Sequence, residues 1–285
     1  MNNIVWIASF PRSGNTWLRC FLSNLSGEAS QLNALDSMHC ANRVIAEDVL
    51  CFSTSELNAS ESALLRPDIY RYFAHSWNST NPLFMKVHDC FQRNSEGELL
   101  FPQDVSRAAI YLIRNPLDVC VSYTHFWGEN DYDATAKLMC DKWHSLPFVK
   151  TNLFGQFYQH IGDWSLNVKT WTEQCDFPVR VVRYEDMLET PTQTFSRIIK
   201  FLSLHYDKDE IHNSLRKSEF SQLQKAEEVS GFSDRPYNGE RFFRSGRSGV
   251  WRDKLSKDAV KRIIDCHGDL MFAHGYLRED GMVVV

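Results

Sequence analysis

The chain has 285 residues, of which 43% are hydrophobic and 13% aromatic, so it is long enough to bury the core of one large domain over residues 1–285. Its net charge of −5 argues against a general surface for nucleic acid or anionic membrane, although a local basic pocket is compatible with it. Eight cysteines without a CxxC pair indicate neither a zinc site nor a redox pair, and the first apolar run is too short for a signal or membrane helix. We therefore expect a cytoplasmic protein that binds neither nucleic acid nor a membrane.

Apolar runs that alternate with helix-like segments predict the elements of the chain. Strands are expected at 3–9, 83–88, 108–113 and 179–183. Helices are expected at 15–26, 42–50, 61–77, 116–128, 133–145, 160–174, 191–203, 207–216 and 256–274. Because helices long enough for crossovers separate the strands, this order predicts the α/β class, with a central parallel sheet and helices on both faces. Ligands of such sheets bind at the carboxyl ends of the strands.

The turn after the first strand has the composition of an anion-binding loop. Gly14 allows a sharp turn into a helix whose first backbone N–H groups are free, while Arg12 adds a cation and Ser13 and Thr16 add hydroxyls. Phosphate is the obvious ligand, and an ordinary strand-to-helix turn with an N-cap is the alternative. The loop has one glycine, and its cation precedes that glycine, so it departs from the GxxxxGKS/T pattern of ATP and GTP loops.

Two later strands also end in residues suited to chemistry. His88 closes the second strand, where a histidine would face the ligand crevice as a general base, and Lys86 precedes it by two positions. A structural histidine is the alternative. Arg114 follows the third strand, and its planar guanidinium suits a terminal phosphate, with Ser122 two helical turns further on. Pairing of Arg114 with the nearby carboxylate of Asp118 is the alternative.

Five stretches, taken together and in order, closely resemble the motifs of one enzyme family. They are PRSGNTW at 11–17, KVH at 86–88, IRNPLDVCVSYTHF at 113–126, YEDM at 184–187 and RSGRSGVW at 244–251. The family is that of the cytosolic-type sulfotransferases that use 3′-phosphoadenosine 5′-phosphosulfate (PAPS), and the resemblance reaches from Asn3 to Trp251. The short start before the first strand is more similar to bacterial members, which often modify secondary metabolites.

The resemblance implies a sulfotransferase that moves the sulfuryl group of PAPS to a hydroxyl, or to an amine or amide nitrogen, of a small-molecule acceptor and releases 3′,5′-bisphosphoadenosine (PAP). His88 would be the base, and Arg12 and Lys86 would stabilise the charge on the sulfuryl oxygens and the departing phosphate, with no metal ion required. The residues implied to bind PAPS are Arg12, Ser13, Gly14, Asn15, Thr16, Trp17, Arg114, Ser122, Tyr184, Phe220, Phe243, Arg244, Ser245 and Gly246. Ser245 stands where the family has a lysine, so Arg247 is a candidate for the missing cation.

Two other functions stay open on the residues alone. A P-loop kinase acting on a small molecule would use the same kind of loop, although the second glycine and the GK pair are missing. A nucleotide-binding protein without chemistry would keep Arg114 and the loop but would not need His88. The acceptor pocket is expected in the variable segments 27–60, 124–150 and 229–243, so the sequence leaves the acceptor, the choice between O- and N-sulfation and the oligomeric state open.

Overall fold

The computed structural model describes residues 2–27, 32, 35, 39–146, 155–173, 175–232, 234–235 and 241–284. Its strands are β1 (Ile4–Ser9), β2 (Leu83–Val87), β3 (Ser106–Ile113), β4 (Ser145–Leu146), β5 (Gln159–His160) and β6 (Val179–Arg183). Four of them form a parallel sheet in the order β2-β1-β3-β6, while β4 and β5 form a small antiparallel pair. Because β1 lies between β2 and β3, the strand order reverses beside it. Sheets of this kind bind ligands in the crevice at that position.

Helices connect the strands of the sheet. They are α1 (Asn15–Leu25), α2 (Arg43–Leu50), α3 (Ala59–Ser76), α4 (Pro116–Phe126), α5 (Tyr132–Met139), α6 (Trp164–Glu173), α7 (Tyr184–Glu189), α8 (Pro191–Phe201), α9 (Lys208–Lys217), α10 (Phe220–Ser230) and α11 (Lys257–Ala273), and a 3-10 helix spans Val250–Asp253. Within the part of the chain that the structure describes, no helix is both long and apolar enough to cross a membrane.

The central strand β1 is buried on both faces of the sheet. Its residues alternate between two cores: Trp6 belongs to the core that also contains side chains of α3, α4, α6 and α11, whereas Ile7 belongs to the core that also contains side chains of α1, α8 and α9. A strand covered on both sides has a continuous apolar sequence, which is what IVWIA at 4–8 shows. The predicted α/β class, with a central parallel sheet and helices on both faces, is confirmed.

The structure corrects two predicted helices. The helix expected at 133–145 ends at Met139, and the one expected at 160–174 begins at Trp164. Between these helices, Ser145–Leu146 (β4) pairs with Gln159–His160 (β5), and the backbone N–H of Gly162 donates to the carbonyl of His144 at 3.0 Å. Gly162 has φ 67°, which ends the extended segment, and the Asp163 carboxylate accepts from the backbone of α6 at 2.6 Å. Tertiary pairing and a turn glycine therefore replace the helical continuation that local periodicity suggested.

Two helices were not predicted from the sequence. The first, α7, follows β6 without a connecting loop, and the second, α10, spans a largely polar segment. Of the residues in α10, only Leu223 and Glu227 are buried, so its apolar face is too narrow to give a clear helical period.

Candidate active site

The turn from β1 into α1 is a tight loop. The Asn15 side chain donates to the carbonyl of Ile7 at 2.8 Å and so ties the start of the helix back to the strand. Gly14, the N-cap residue, has φ 100°, and a Cβ there would lie 2.8 Å from the ring of Tyr184. No described side chain caps α1, and no acidic residue lies in its first turn. The first N–H groups of α1 are therefore available to an anion, whereas the ordinary side-chain N-cap considered as the alternative does not form.

A cavity of about 680 Å³ lies at the carboxyl ends of β1, β2 and β3. Every residue that the resemblance implicates lines this cavity, except Ser13 and the candidate cation Arg247. Three of the implicated residues have a buried polar atom without a hydrogen-bond partner among the described residues: Ser13 Oγ, Trp17 Nε1 and Arg114 Nε. Buried polar groups of folded proteins are normally paired. Trp17 and Arg114 line the cavity and Ser13 lies in the loop beside it, so these unpaired groups suit a polar ligand.

Arg12 links the loop after β1 to two other parts of the cavity wall. Its Nε donates to Ser122 Oγ at 3.1 Å, and one terminal nitrogen donates to the carbonyl of Phe242 at 3.0 Å. The guanidinium lies 4.1 Å from the centre of the Phe242 ring and 4.9 Å from that of Phe126. Burial, and next the charge of Arg114, lower the pKa of Arg12 to about 10, so the group stays charged at neutral pH.

Arg114 lies at the end of β3, in the crevice beside β1. It donates to the carbonyls of Arg12 and Arg247 at 3.0 and 3.1 Å, and its guanidinium lies 4.3 Å from the centre of the Tyr184 ring. These contacts fix its orientation while Nε stays unpaired. The side chain of Arg247 is exposed and does not line the cavity, so only its backbone contributes there.

Asp118 does not form the pair with Arg114 that the sequence left open. Its carboxylate instead accepts from the backbone N–H groups of Gly249 and Trp251 at 2.7 and 3.1 Å. Asp118 thereby ties the segment 244–251 to α4. The motif residue is thus an anchor for the loop that carries Arg244.

His88 lies just after β2 and lines the cavity. Its Nδ1 lies 2.8 Å from the carbonyl oxygen of Ser9, and because that oxygen can only accept, Nδ1 carries the proton. Nε2 is then the unprotonated ring nitrogen, and none of the described residues bonds to it. Burial, and next the charge of Lys86, lower the pKa of His88 to about 3, so the ring is neutral at neutral pH.

Lys86 has a partner that the sequence did not suggest. Its Nζ donates to Asp234 Oδ2 at 3.1 Å, and the same oxygen accepts from Arg19 at 3.1 Å. The two cations hold the pKa of the buried Asp234 far below its usual range, against the effect of burial, which alone would raise it. Asp234 and Arg19 lie 148 and 67 positions from Lys86 in the sequence, so no local motif joins these three residues.

Aromatic side chains enclose the other end of the cavity. The rings of Trp17 and Tyr184 meet edge to face with centroids 6.0 Å apart, and Trp17 also packs 5.5 Å from Phe195 in the core. A Cβ on Gly246, whose φ is 59°, would lie 2.6 Å from the Phe220 ring. Trp17 is therefore both a core residue and a cavity residue, and glycine at 246 lets the backbone approach an aromatic face.

Helix α10 holds the segment that carries Arg244, Ser245 and Gly246. The Glu227 carboxylate accepts from the backbone N–H groups of Phe242 and Phe243 at 2.6 and 3.0 Å. Sequence reasoning missed Glu227, because a single glutamate in a polar segment carries no motif. Among the described residues, no group of three or more His, Cys, Asp or Glu side chains could hold a metal ion.

The protein is an α/β protein with a P-loop-like site. The loop between β1 and α1, with its free N–H groups, and the cavity lie where the strand order of the sheet reverses. The family described as "Sulfotransferase domain" matches residues 2–272, and the chain belongs to this family.

The chain is 32% identical over 155 residues to Sulfotransferase 2A2 of Mus musculus, a match that covers 52% of this chain and 50% of that protein. It is 24% identical over 277 residues to Sulfotransferase 1 family member D1 of Mus musculus, covering 92% of this chain and 83% of that protein. The matched part thus spans about half the length of the first of these relatives. A crystal structure of retinol dehydratase in complex with androsterone and inactive cofactor PAP has a TM-score of 0.63 at 18% identity, and covers 95% of this chain and 81% of that one. This likeness shows a shared fold.

Proposed function

We propose that this protein is a sulfotransferase that moves the sulfuryl group of PAPS to a small-molecule acceptor and releases PAP. The observation that carries the proposal is that one cavity contains three features. They are the buried guanidinium of Arg114 with its unpaired Nε, the uncapped start of α1, and the neutral ring of His88. Two anion-binding positions and one base are what PAPS and a sulfuryl acceptor require.

The residues present are suited to the groups of PAPS. The first N–H groups of α1, with Ser13 and Thr16, would hold the 5′-phosphosulfate. Arg114, with Ser122 and with Arg244 on the anchored segment, would hold the 3′-phosphate. The aromatic enclosure of Trp17, Tyr184 and Phe220, with Phe243 beside it, would take the adenine, where stacking contributes about 1 to 3 kcal/mol per base. The unpaired atoms at Ser13, Trp17 and Arg114 give each of these groups a buried donor.

In this mechanism PAPS supplies the activated sulfuryl group. His88 Nε2 takes the proton of the acceptor while the acceptor atom attacks sulfur and the bond between sulfur and the 5′-phosphate oxygen breaks. The hydrogen bond from Nδ1 to Ser9 fixes the ring in the tautomer that can do this. Arg12, Lys86 and the start of α1 stabilise the negative charge that moves to the departing phosphate. A bound anion beside His88 raises its pKa from about 3, which makes the ring a better proton acceptor when the donor is bound.

The proposal also assigns the protein to the cytoplasm and gives it a metabolite-sized acceptor. None of the eight cysteines, all of which lie among the described residues, takes part in a disulfide, which supports a reducing compartment. The cavity of about 680 Å³ lies within the usual range of small-molecule and cofactor sites, which supports a metabolite-sized acceptor.

The direct test is transfer of label from sulfur-labelled PAPS to a panel of phenols, alcohols and amines, together with calorimetry of PAP and 5′-adenylate. We expect labelled product with at least one acceptor class and much tighter binding of PAP than of 5′-adenylate. Magnesium-dependent transfer from labelled ATP with none from PAPS would instead indicate the kinase, and tight PAP binding without any transfer would indicate a binding protein.

A further inference from the structure

Another histidine of the cavity, the buried His39, lies on the far side of β2 from the proposed nucleotide site. His39 forms an isolated parallel bridge with Lys86, and the backbone N–H of Cys40 donates to the carbonyl of Lys86 at 3.1 Å. Across the carboxyl edge of the sheet the order is therefore His39, β2, β1, β3 and β6. Arg114 and Tyr184, at the ends of β3 and β6, lie at the opposite end of that order.

This placement puts His39 beside the acceptor and away from the nucleotide. Paired residues on neighbouring strands direct their side chains to the same face of a sheet, and residues two apart on one strand do so too. His39 and Lys86 therefore share one face of the sheet, and His88, which follows β2 directly, lines the same cavity as both. With the nucleotide over β3 and β6 and the base at the end of β2, the space next to His39 and His88 is where an acceptor approaches sulfur.

The hydrogen bonding of His39 determines which ring nitrogen carries its proton. Its Nδ1 lies 3.1 Å from the backbone nitrogen of Ala41, which can only donate, so Nδ1 accepts and the neutral ring carries its proton on Nε2. Burial, and next the charge of Lys86, lower the pKa of His39 well below its usual value and keep the ring neutral, while Asp234 has the opposite effect and His88 and Arg19 add to the lowering. None of the described residues accepts a hydrogen bond from Nε2.

The two histidines therefore present opposite hydrogen-bonding edges to one space. His88 offers a lone pair at Nε2, whereas His39 offers an N–H at Nε2. A hydroxyl oxygen has one proton and two lone pairs, so it can give its proton to His88, attack sulfur with one pair and accept from His39 with the other. An amine nitrogen has a single lone pair, which the attack on sulfur uses, so it cannot accept from His39 at the same time.

We propose that His39 is a specificity-determining residue whose Nε2–H donates to the acceptor atom and selects a hydroxyl oxygen over an amine nitrogen. This rests on the proposed sulfuryl transfer and adds to it the class of acceptor. In the reaction the new bond joins the acceptor oxygen to sulfur, the proton goes to His88, and the electron pair of the broken bond goes to the departing phosphate oxygen. An analogue that leaves a buried donor unpaired is strongly disfavoured, which is how such a donor discriminates.

A matched pair of probes, 2-naphthol and 2-naphthylamine, tests the proposal, because they differ only in the acceptor group and both are uncharged at neutral pH. With PAPS we expect the wild type to prefer 2-naphthol by at least about 10-fold in kcat/KM. His39→Ala should lower kcat/KM for 2-naphthol by about 5-fold to 50-fold and that for 2-naphthylamine by less than about 2-fold. His39→Gln, whose side-chain amide can place an N–H near the position of Nε2, should recover part of the loss. PAP affinity, measured by calorimetry, should stay unchanged in both variants and serves as the control for folding.

Several outcomes would overturn the role of His39 while leaving sulfuryl transfer intact. They are equal losses for both probes, no loss for 2-naphthol, a wild type that does not prefer 2-naphthol, or a loss of PAP affinity on the substitution. Failure of the proposed function looks different, since the wild type would then neither bind PAP nor transfer label to any acceptor. If the wild type transfers to neither probe, nitrogen NMR of the PAP-loaded protein decides. A His39 signal of the Nε2–H tautomer that shifts on adding 2-naphthol supports the role, and an Nδ1–H tautomer or an unmoved signal overturns it.

Discussion

The two ends of the cavity differ in how their polar groups are paired. At the end beside β3 and β6, Arg114 Nε and Trp17 Nε1 are buried without partners. At the end beside β2, Lys86 is already paired with Asp234, which also pairs with Arg19. Unpaired buried donors favour a bound anion, whereas the Lys86 ammonium already has a counter-ion and uses a further N–H for the charge that develops on the departing phosphate. This difference agrees with the proposed placement of the anionic donor at the end beside β3 and β6 and of the acceptor at the end beside β2.

The largest effect is expected at the acceptor end. His88→Ala should lower turnover about 10²-fold to 10⁴-fold, because the base acts as the acceptor proton leaves, with PAP affinity nearly unchanged. Steady-state rates with PAPS and calorimetry with PAP measure the two quantities separately. A parallel loss of PAP affinity would place His88 in the nucleotide site and remove the distinction between the two ends.

The next effect is expected at the nucleotide end. Charge-assisted hydrogen bonds contribute roughly 1.5 to 3 kcal/mol each, so Arg114→Ala should weaken PAP by about 10-fold to 150-fold. Binding of 5′-adenylate, which lacks the 3′-phosphate, should hardly change. Arg247→Ala is the matched control, because the Arg247 side chain is exposed and does not line the cavity. The substitution keeps the backbone carbonyl that accepts a hydrogen bond from Arg114. If Arg114→Ala weakens both nucleotides alike, Arg114 does not hold the 3′-phosphate.

A smaller effect on nucleotide binding is expected from a substitution of Glu227, the residue of α10 that anchors the segment carrying Arg244. Glu227→Gln keeps one acceptor oxygen but turns an N–H group of the amide toward a backbone donor, so one of the two bonds to the segment at Phe242 and Phe243 is lost. PAP affinity should fall by about 5-fold to 20-fold, and proteolysis near Arg244 should become faster and be slowed by PAP. Unchanged proteolysis together with unchanged affinity would show that Glu227 does not order this segment.

The smallest effect concerns the stability of the protein in acid, which reports whether His88 at the acceptor end is neutral in the folded state. The pKa of His88 is about 3 in the folded protein against 6.5 for an unperturbed histidine, so the unfolded chain binds more protons between these values. The contribution of His88 is therefore fully present above about pH 6.5 and is lost as the pH falls toward 3. His88→Asn can still donate to the Ser9 carbonyl but does not titrate. When the pH is lowered from neutral to about 5, the free energy of unfolding should therefore fall by about 1 to 2 kcal/mol less in this variant than in the wild type. Urea unfolding at both pH values measures this, and identical losses would mean that His88 is not buried in its neutral form.

The sequence alone determined the parts of the molecule that consist of neighbouring residues. The strand, turn and helix at 4–25 follow from an apolar run, one glycine and a helical period, because backbone conformation is set largely by residues a few positions apart. The positions of His88 and Arg114 at strand ends were also predictable, since parallel strands bring their carboxyl ends to one edge. The same local logic failed at 140–145 and 160–163, where pairing between distant segments replaced two predicted helix ends.

Tertiary structure decided which distant side chains meet. Asp234 reaches Arg19 across 215 positions of the chain and Lys86 across 148, and Glu227 reaches Phe242 through a helix that has no clear period. The tautomer of His88 likewise depends on the carbonyl of Ser9, which the folded chain brings to it across 79 positions, whereas that of His39 depends on the N–H of Ala41 only two positions on. The physical reason is that a hydrogen bond or ion pair depends on separation in space, whereas a sequence records only separation along the chain.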